Sequence, residues 1–156
     1  MRSLLLALTL ILLAPMAAQA QSLDDTPPVY VASVYDRLAK DQNYDDPDAL
    51  YTPRLLALWK GMQKDAGGEV GRVDFFPWTN SQDWQLSDLS LTSEIVDGHE
   101  DRMIVTAKFR NGGQSETIRS YWEKTGGHWR LDDMQSVGPL GWTLSVILKY
   151  GWSSQY

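Results

Sequence analysis

The sequence predicts an α+β domain, with N-terminal helices packed on a curved antiparallel sheet of four or more strands in a cone-like arrangement. Two observations carry this. Between Pro27 and Gly68 the apolar residues recur at helical spacing, and from Leu89 onward they alternate in short runs parted by glycine-bearing turns. Helices gathered ahead of strands, rather than interleaved with them, point to helices laid across one face of an antiparallel sheet.

The first segment, MRSLLLALTLILLAPMAAQA, has Arg2, an apolar run from Leu4 to Leu13, then Pro15 and a small-residue end. That is the pattern of a secretory signal peptide, with Ala18 and Ala20 in an A-x-A cleavage site and Gln21 as the expected first mature residue. The apolar run is about 10 residues where a membrane-spanning helix needs about 20, so cleavage rather than anchoring is expected. The chain has no cysteine, hence no lipidation site at the junction and no disulfide. These features place the protein in the periplasm, or outside the cell if the source has no outer membrane, with no membrane attachment after cleavage.

Residues 21–28 form a polar leader ending in Thr26-Pro27, an N-cap followed by a first-turn proline. Residues 29–156 are expected to form one domain. Val31, Val34, Tyr35 and Leu38 stand at i, i+3, i+4 and i+7 on one helical face. The stretch DQNYDDPDA, residues 41–49, breaks that pattern as a loop does. A second Thr-Pro start, at Thr52-Pro53, opens a helix with Leu55, Leu56, Trp59 and Met62 as its apolar stripe and Gly67-Gly68 as its stop.

The strands follow. Leu89, Leu91 and Ile95 precede Asp97-Gly98; Met103, Val105, Ala107 and Phe109 precede Asn111-Gly112-Gly113. Ile118, Ser120 and Trp122 precede Gly126-Gly127, and the strand beyond places Trp129, Leu131 and Asp133 on one face with Arg130, Asp132 and Met134 on the other. The apolar tail PLGWTLSVILKYGW packs as a final strand or a short helix.

Removing the signal leaves 156 − 20 = 136 residues, the size of one domain with one core. The charge after cleavage is 13 − 20 = −7, without a Lys/Arg cluster, which argues against nucleic acid and anionic membrane as partners. Both histidines, His99 and His128, fall at predicted turns, so a zinc site is not expected. The chain has no cysteine nucleophile, G-x-S-x-G elbow, phosphate-binding glycine loop or calcium-loop spacing, and no cofactor is implied.

This order of elements resembles the nuclear transport factor 2-like (cystatin-like) superfamily. More narrowly, Asp74-Phe75-x-Pro77 with Gln82-Asp83-Trp84, and Trp129-Arg130-Leu131-Asp132-Asp133 further on, resemble an exported bacterial family known as a domain of unknown function (number 3828). The likeness covers roughly Val29 to Val137. It implies a cone with a cavity between helices and sheet, used across the superfamily for catalysis, ligand binding or protein contacts. No catalytic residue is carried over from it.

The densest stretch is DFFPWTNSQDW, Asp74 to Trp84, between the last helix and the first strand. One reading makes it a site, with Asp74 and Asp83 as a polar pair, Trp78 and Trp84 as apolar walls, and Arg119 or Arg130 as counter-charge. The other makes it structure, with Phe75, Phe76 and Trp84 plugging the cone and Gln82 and Asp83 bonding the loop's own backbone. Asp133 likewise reads either as a buried acid fit for acid/base work, partnered by Arg119, or as a structural ion pair or cap.

The reading preferred from sequence is an exported, non-catalytic protein-interaction domain with a protein partner or a second copy of itself. The alternative is a binding protein for a small apolar ligand in the cone cavity, and a third is a carboxylate-dependent enzyme. An apolar patch on the outer sheet face would favour the first, and an open apolar cavity the second.

Overall fold

The structure, a computed structural model, describes residues 25–42 and 44–152. The expected signal peptide, residues 1–20, lies outside the described residues.

Helix α1 spans Pro27–Ala39 and α2 spans Pro53–Ala66, and both begin where the two Thr-Pro pairs predict. The pairs differ in chemistry. Thr52 caps α2 with its side chain, which accepts the Leu55 amide at 3.3 Å, whereas the Thr26 side chain makes no cap bond and only its carbonyl accepts the Tyr30 amide at 3.0 Å. At the other end of α2, Gly67 takes the left-handed conformation with φ 59° that closes a helix without a Cβ penalty. Helix α1 buries Tyr30, Val31, Val34, Tyr35 and Leu38, a five-residue stripe worth about 1.5–3 kcal/mol for each side chain fully withdrawn from water. Helix α2 buries Leu55 and Met62 and leaves Leu56 and Trp59 half-buried on its flank.

The sheet is antiparallel, curved and unclosed, in the order β1-β2-β3-β4-β5. Its strands are β1 Leu86–Val96, β2 His99–Asn111, β3 Gln114–Thr125, β4 His128–Ser136 and the two-residue β5 Trp142–Thr143. The tail provides both expected forms, because β5 leads directly into helix α3, Leu144–Tyr150, which buries Leu144, Ile147 and Leu148. Tight hairpins join the first four strands. Between β2 and β3, Gly112 and Gly113 stand at φ 55° and 86°, a pair of conformations that L side chains resist.

Val105, Ala107 and Phe109 of β2 and Ile118, Ser120 and Trp122 of β3 are buried, as their alternation predicts. They meet the α1 stripe. Tyr30 packs edge-on against Trp122 at 5.6 Å between ring centroids, and Tyr35 meets Phe109 at 5.2 Å. Side chains thus fill the space between α1 and the middle of the sheet.

Two strands depart from strict alternation. In β4, Asp133 lies opposite Tyr121 while Leu131 lies opposite Trp122, so Asp132 is an extra residue in a β-bulge. The predicted faces of β4 are therefore corrected: Leu131 and Met134, expected on opposite faces, are both buried, at 0% and 1% exposure. In β1, Leu91 and Ile95 lie opposite Ala107 and Met103 on the helix-facing side, yet Ile95 remains 46% exposed and Leu89 43%. Helix α1 covers only part of this strand.

The two borders of the sheet also differ. Beside β4, Tyr51 forms a parallel bridge with Leu131, the Thr52 amide donates to the Leu131 carbonyl at 2.9 Å, and β5 covers Gln135 and Ser136. At the opposite border, among the described residues, β1 pairs with β2 alone.

Candidate functional site: a carboxylate beneath an aromatic cleft

The loop between α1 and α2 is the source of the site. Pro47 and the 3-10 turn Asp48–Leu50 shorten it, Leu50 anchors it in the core, and Tyr44 turns inward. Asp46 is thereby held with both carboxylate oxygens engaged. Its Oδ1 accepts the Tyr44 hydroxyl at 2.5 Å, and its Oδ2 accepts the Tyr51 hydroxyl at 3.1 Å and the Trp78 Nε1–H at 3.0 Å. With its own proton committed to Asp46, Tyr44 is the acceptor from the Tyr30 hydroxyl 2.5 Å away, so a chain of bonds runs from α1 to the carboxylate.

Burial pushes the Asp46 carboxyl above the usual carboxylate range, and Asp45 adds to the rise. The bonds from Tyr44, Trp78 and Tyr51 oppose the shift without cancelling it. The tyrosines respond in kind. Tyr30, Tyr44 and Tyr51 are all raised above the ordinary phenol value of 10.0, first by burial and then, with lesser effect, by the neighbouring Asp46 charge.

Asp46 opens on one side into a cleft of about 240 Å³ between the loop, α2 and residues 73–77. Its walls include Tyr51, Trp59, Phe75 and Phe76, and Asp45 and Asp48 join Asp46 in its lining. The Tyr51 and Trp59 rings stand 6.3 Å apart at 41°, and the buried Trp59 Nε1 has no hydrogen-bond partner among the described residues. At the rim Lys60 pairs with Asp48 at 2.7 Å, so the one basic residue in the lining is already neutralised.

The residues singled out from the sequence are dispersed. Trp78 joins this cluster: it is 1% exposed, it holds Asp46, and its carbonyl accepts the Tyr35 hydroxyl at 2.7 Å. Trp84 packs tilted against Phe76 at 5.5 Å between ring centroids and donates to the Leu38 carbonyl at 3.2 Å, in a second hollow that Phe76 also lines. Asp74 and Asp83 are exposed. The stretch closes on itself through the Phe76 amide and Ser81 carbonyl at 2.9 Å and through the Gln82 side-chain amide on the Asp74 carbonyl at 2.9 Å. Pro77, Trp78 and Thr79 form its buried part, with Phe75, Phe76 and Trp84 half-buried around them.

Arg119 is exposed on the outer face opposite Thr106 and Gln135. The cation near Asp133 is Arg54 from α2, at 3.6 Å, rather than Arg119. Asp133 accepts the Ser145 hydroxyl at 2.5 Å and the Ser145 amide at 3.0 Å, which caps α3 from across the fold. Asp132 beside it accepts the Thr52 hydroxyl at 2.8 Å and Arg54 Nε at 3.1 Å. This pair of aspartates ties β4 to the starts of α2 and α3.

Asp46 itself is the residue that sequence reasoning passed over, because its loop reads as polar connection. The available signal was local: an aspartate flanked by Tyr44 and Tyr51 and followed by Pro47. The third donor, Trp78, comes from 32 residues away and has no local signature. Among the described residues no cluster of three or more His, Asp or Glu is placed to hold a metal ion, and no helix is long and apolar enough to cross a membrane. Compared with family models, with curated proteins and with solved structures, the chain matches none.

Proposed function

We propose that the protein is an exported, non-catalytic binding protein that holds a small organic cation in the cleft above Asp46. One observation carries the reading: a fixed carboxylate opens into a cleft walled by aromatic rings. Aromatic faces attract cations, and a carboxylate already accepting three bonds retains room on Oδ1 for one more donor. Among the described residues the lining contains no Ser, Thr or His, and its Lys is paired with Asp48, which favours binding over chemistry. The cone of the nuclear transport factor 2-like superfamily belongs to the same proposal, supported by helices on a bent open sheet, with the ligand at the rim rather than inside a filled cone.

Calorimetric titration with phenethylamine tests it, with phenylacetate as the anionic control. The amine is expected to bind with a dissociation constant below about 1 mM, and Asp46→Asn to weaken it by about tenfold or more. Absence of amine binding, equal binding of phenylacetate, or an unchanged affinity in Asp46→Asn would each overturn the proposal.

A further inference from the structure

We propose that the free border of β1 accepts an extended, basic segment of a partner protein as an added strand. This surface is independent of the cleft, with which it shares no lining residue.

Two features of β1 point the same way. It is 11 residues long and ends the sheet order, so among the described residues half of its backbone donors and acceptors lack a strand to pair with. Its apolar residues are incompletely covered: Leu89 and Ile95 are exposed, and Leu89 lines an apolar groove of about 180 Å³ with Tyr35, Leu86 and Phe109. A strand added to β1 sends alternate side chains toward the helix side, where this groove offers a seat for an apolar one. The strand also carries a β-bulge, with Asp88 at φ 53° between the paired residues Ser87 and Ser90, so ladder pairing with an added strand runs along the regular stretch of residues 90–95.

Charge selects the occupant. Strand β1 contains Asp88 and Glu94 and no basic residue, with Asp97 in the turn beyond. The basic residues of the neighbouring strand, Arg102, Lys108 and Arg110, sit one strand further in, Lys108 and Arg110 opposite Ser90 and Ser87 and Arg102 beside Val96 at the far end. A second copy of this chain would bring an equally acidic border to the seam, and like charges opposed across strands are destabilising. A segment alternating apolar and Lys/Arg residues satisfies backbone, groove and charge together.

The probe is an 11-residue peptide of alternating Val and Lys, long enough to match β1, with the Val/Glu peptide as control. Its affinity is read by fluorescence anisotropy, and its place by amide exchange. The Val/Lys peptide is expected to bind with a dissociation constant of about 10–500 μM and to slow exchange of β1 amides that exchange freely without it. Replacing Asp88 with Asn and Glu94 with Gln together is expected to weaken it about tenfold, Asn being chosen because it tolerates the left-handed backbone at that position. Leu89→Ser, at an exposed site that leaves the core intact, is expected to weaken it severalfold. The proposal is overturned if no binding occurs at about 1 mM, if the Val/Glu peptide binds equally well, or if protection appears away from β1. It is also overturned if β1 amides are already protected in the peptide-free protein, since a second copy or another segment of this chain would then hold the border.

Discussion

Trp78 donates its indole N–H to Asp46 across 32 residues of chain, at 3.0 Å, and so joins the loop after α1 to the stretch after α2. Trp78→Phe removes that donor while keeping most of the ring volume. The expected cost is about 1–3 kcal/mol, read from chemical denaturation, because a buried acceptor loses a partner. A loss under about 0.5 kcal/mol would show that the bond does not organise the loop.

The raised Asp46 carboxyl makes stability fall as pH rises. In the unfolded chain the group ionises near 3.8, but in the folded state only at higher pH, so its protonated form favours folding. The contribution is complete below 3.8 and is lost as pH climbs through the folded value. Asp46→Asn cannot ionise. The stability of the natural protein relative to this variant should therefore decline from about pH 4 upward and then level off. A flat difference across that window would contradict the burial of the carboxylate.

A second transition belongs to the phenols. Tyr30, Tyr35, Tyr44 and Tyr51 are held above 10.0 in the folded state, chiefly by burial, so unfolding releases protons above that pH. Their tyrosinate absorbance should appear together with the loss of tertiary circular dichroism rather than before it. Ionisation of all four ahead of unfolding would refute the inward orientation of these hydroxyls.

Asp133→Asn tests the clamp between β4 and α3. It removes the negative charge that accepts the Ser145 hydroxyl and amide and faces Arg54. The expected loss is about 1–2 kcal/mol, a fall in melting temperature of about 3–8 °C. A shift near zero would leave Asp133 without a structural part.

The clarity of each feature in the sequence followed the range of the interactions behind it. Val31, Val34 and Leu38 repeat with the helical period, and Thr52 and Gly67 mark helix ends by local chemistry, so the α+β class and its turns could be read directly. The β4 bulge could not, because one extra residue beside Tyr121 is decided by pairing between strands rather than by composition. Leu89 and Ile95 alternate like core residues, yet their burial depends on how far α1 reaches, which no residue in β1 encodes. The site followed the same division. Trp78 stood out by its aromatic company, whereas Asp46 acquires its character from Tyr44, Tyr51 and Trp78 only once the chain has folded.

The extra residue at Asp132 works as a change of phase within one strand. Upstream of it odd-numbered Leu131 faces the core, and downstream even-numbered Met134 does, so the two halves of β4 keep opposite parity. Deleting Asp132 would make Leu131, Asp133 and Met134 consecutive residues of a regular strand, with Leu131 and Met134 still on the core face, whereas a residue lost elsewhere in β4 would turn one half of the strand over. Asp132 is thus the one position of β4 whose removal preserves both faces of the strand. Its loss would be felt instead at the start of α2, where Thr52 and Arg54 would lose the carboxylate they hold.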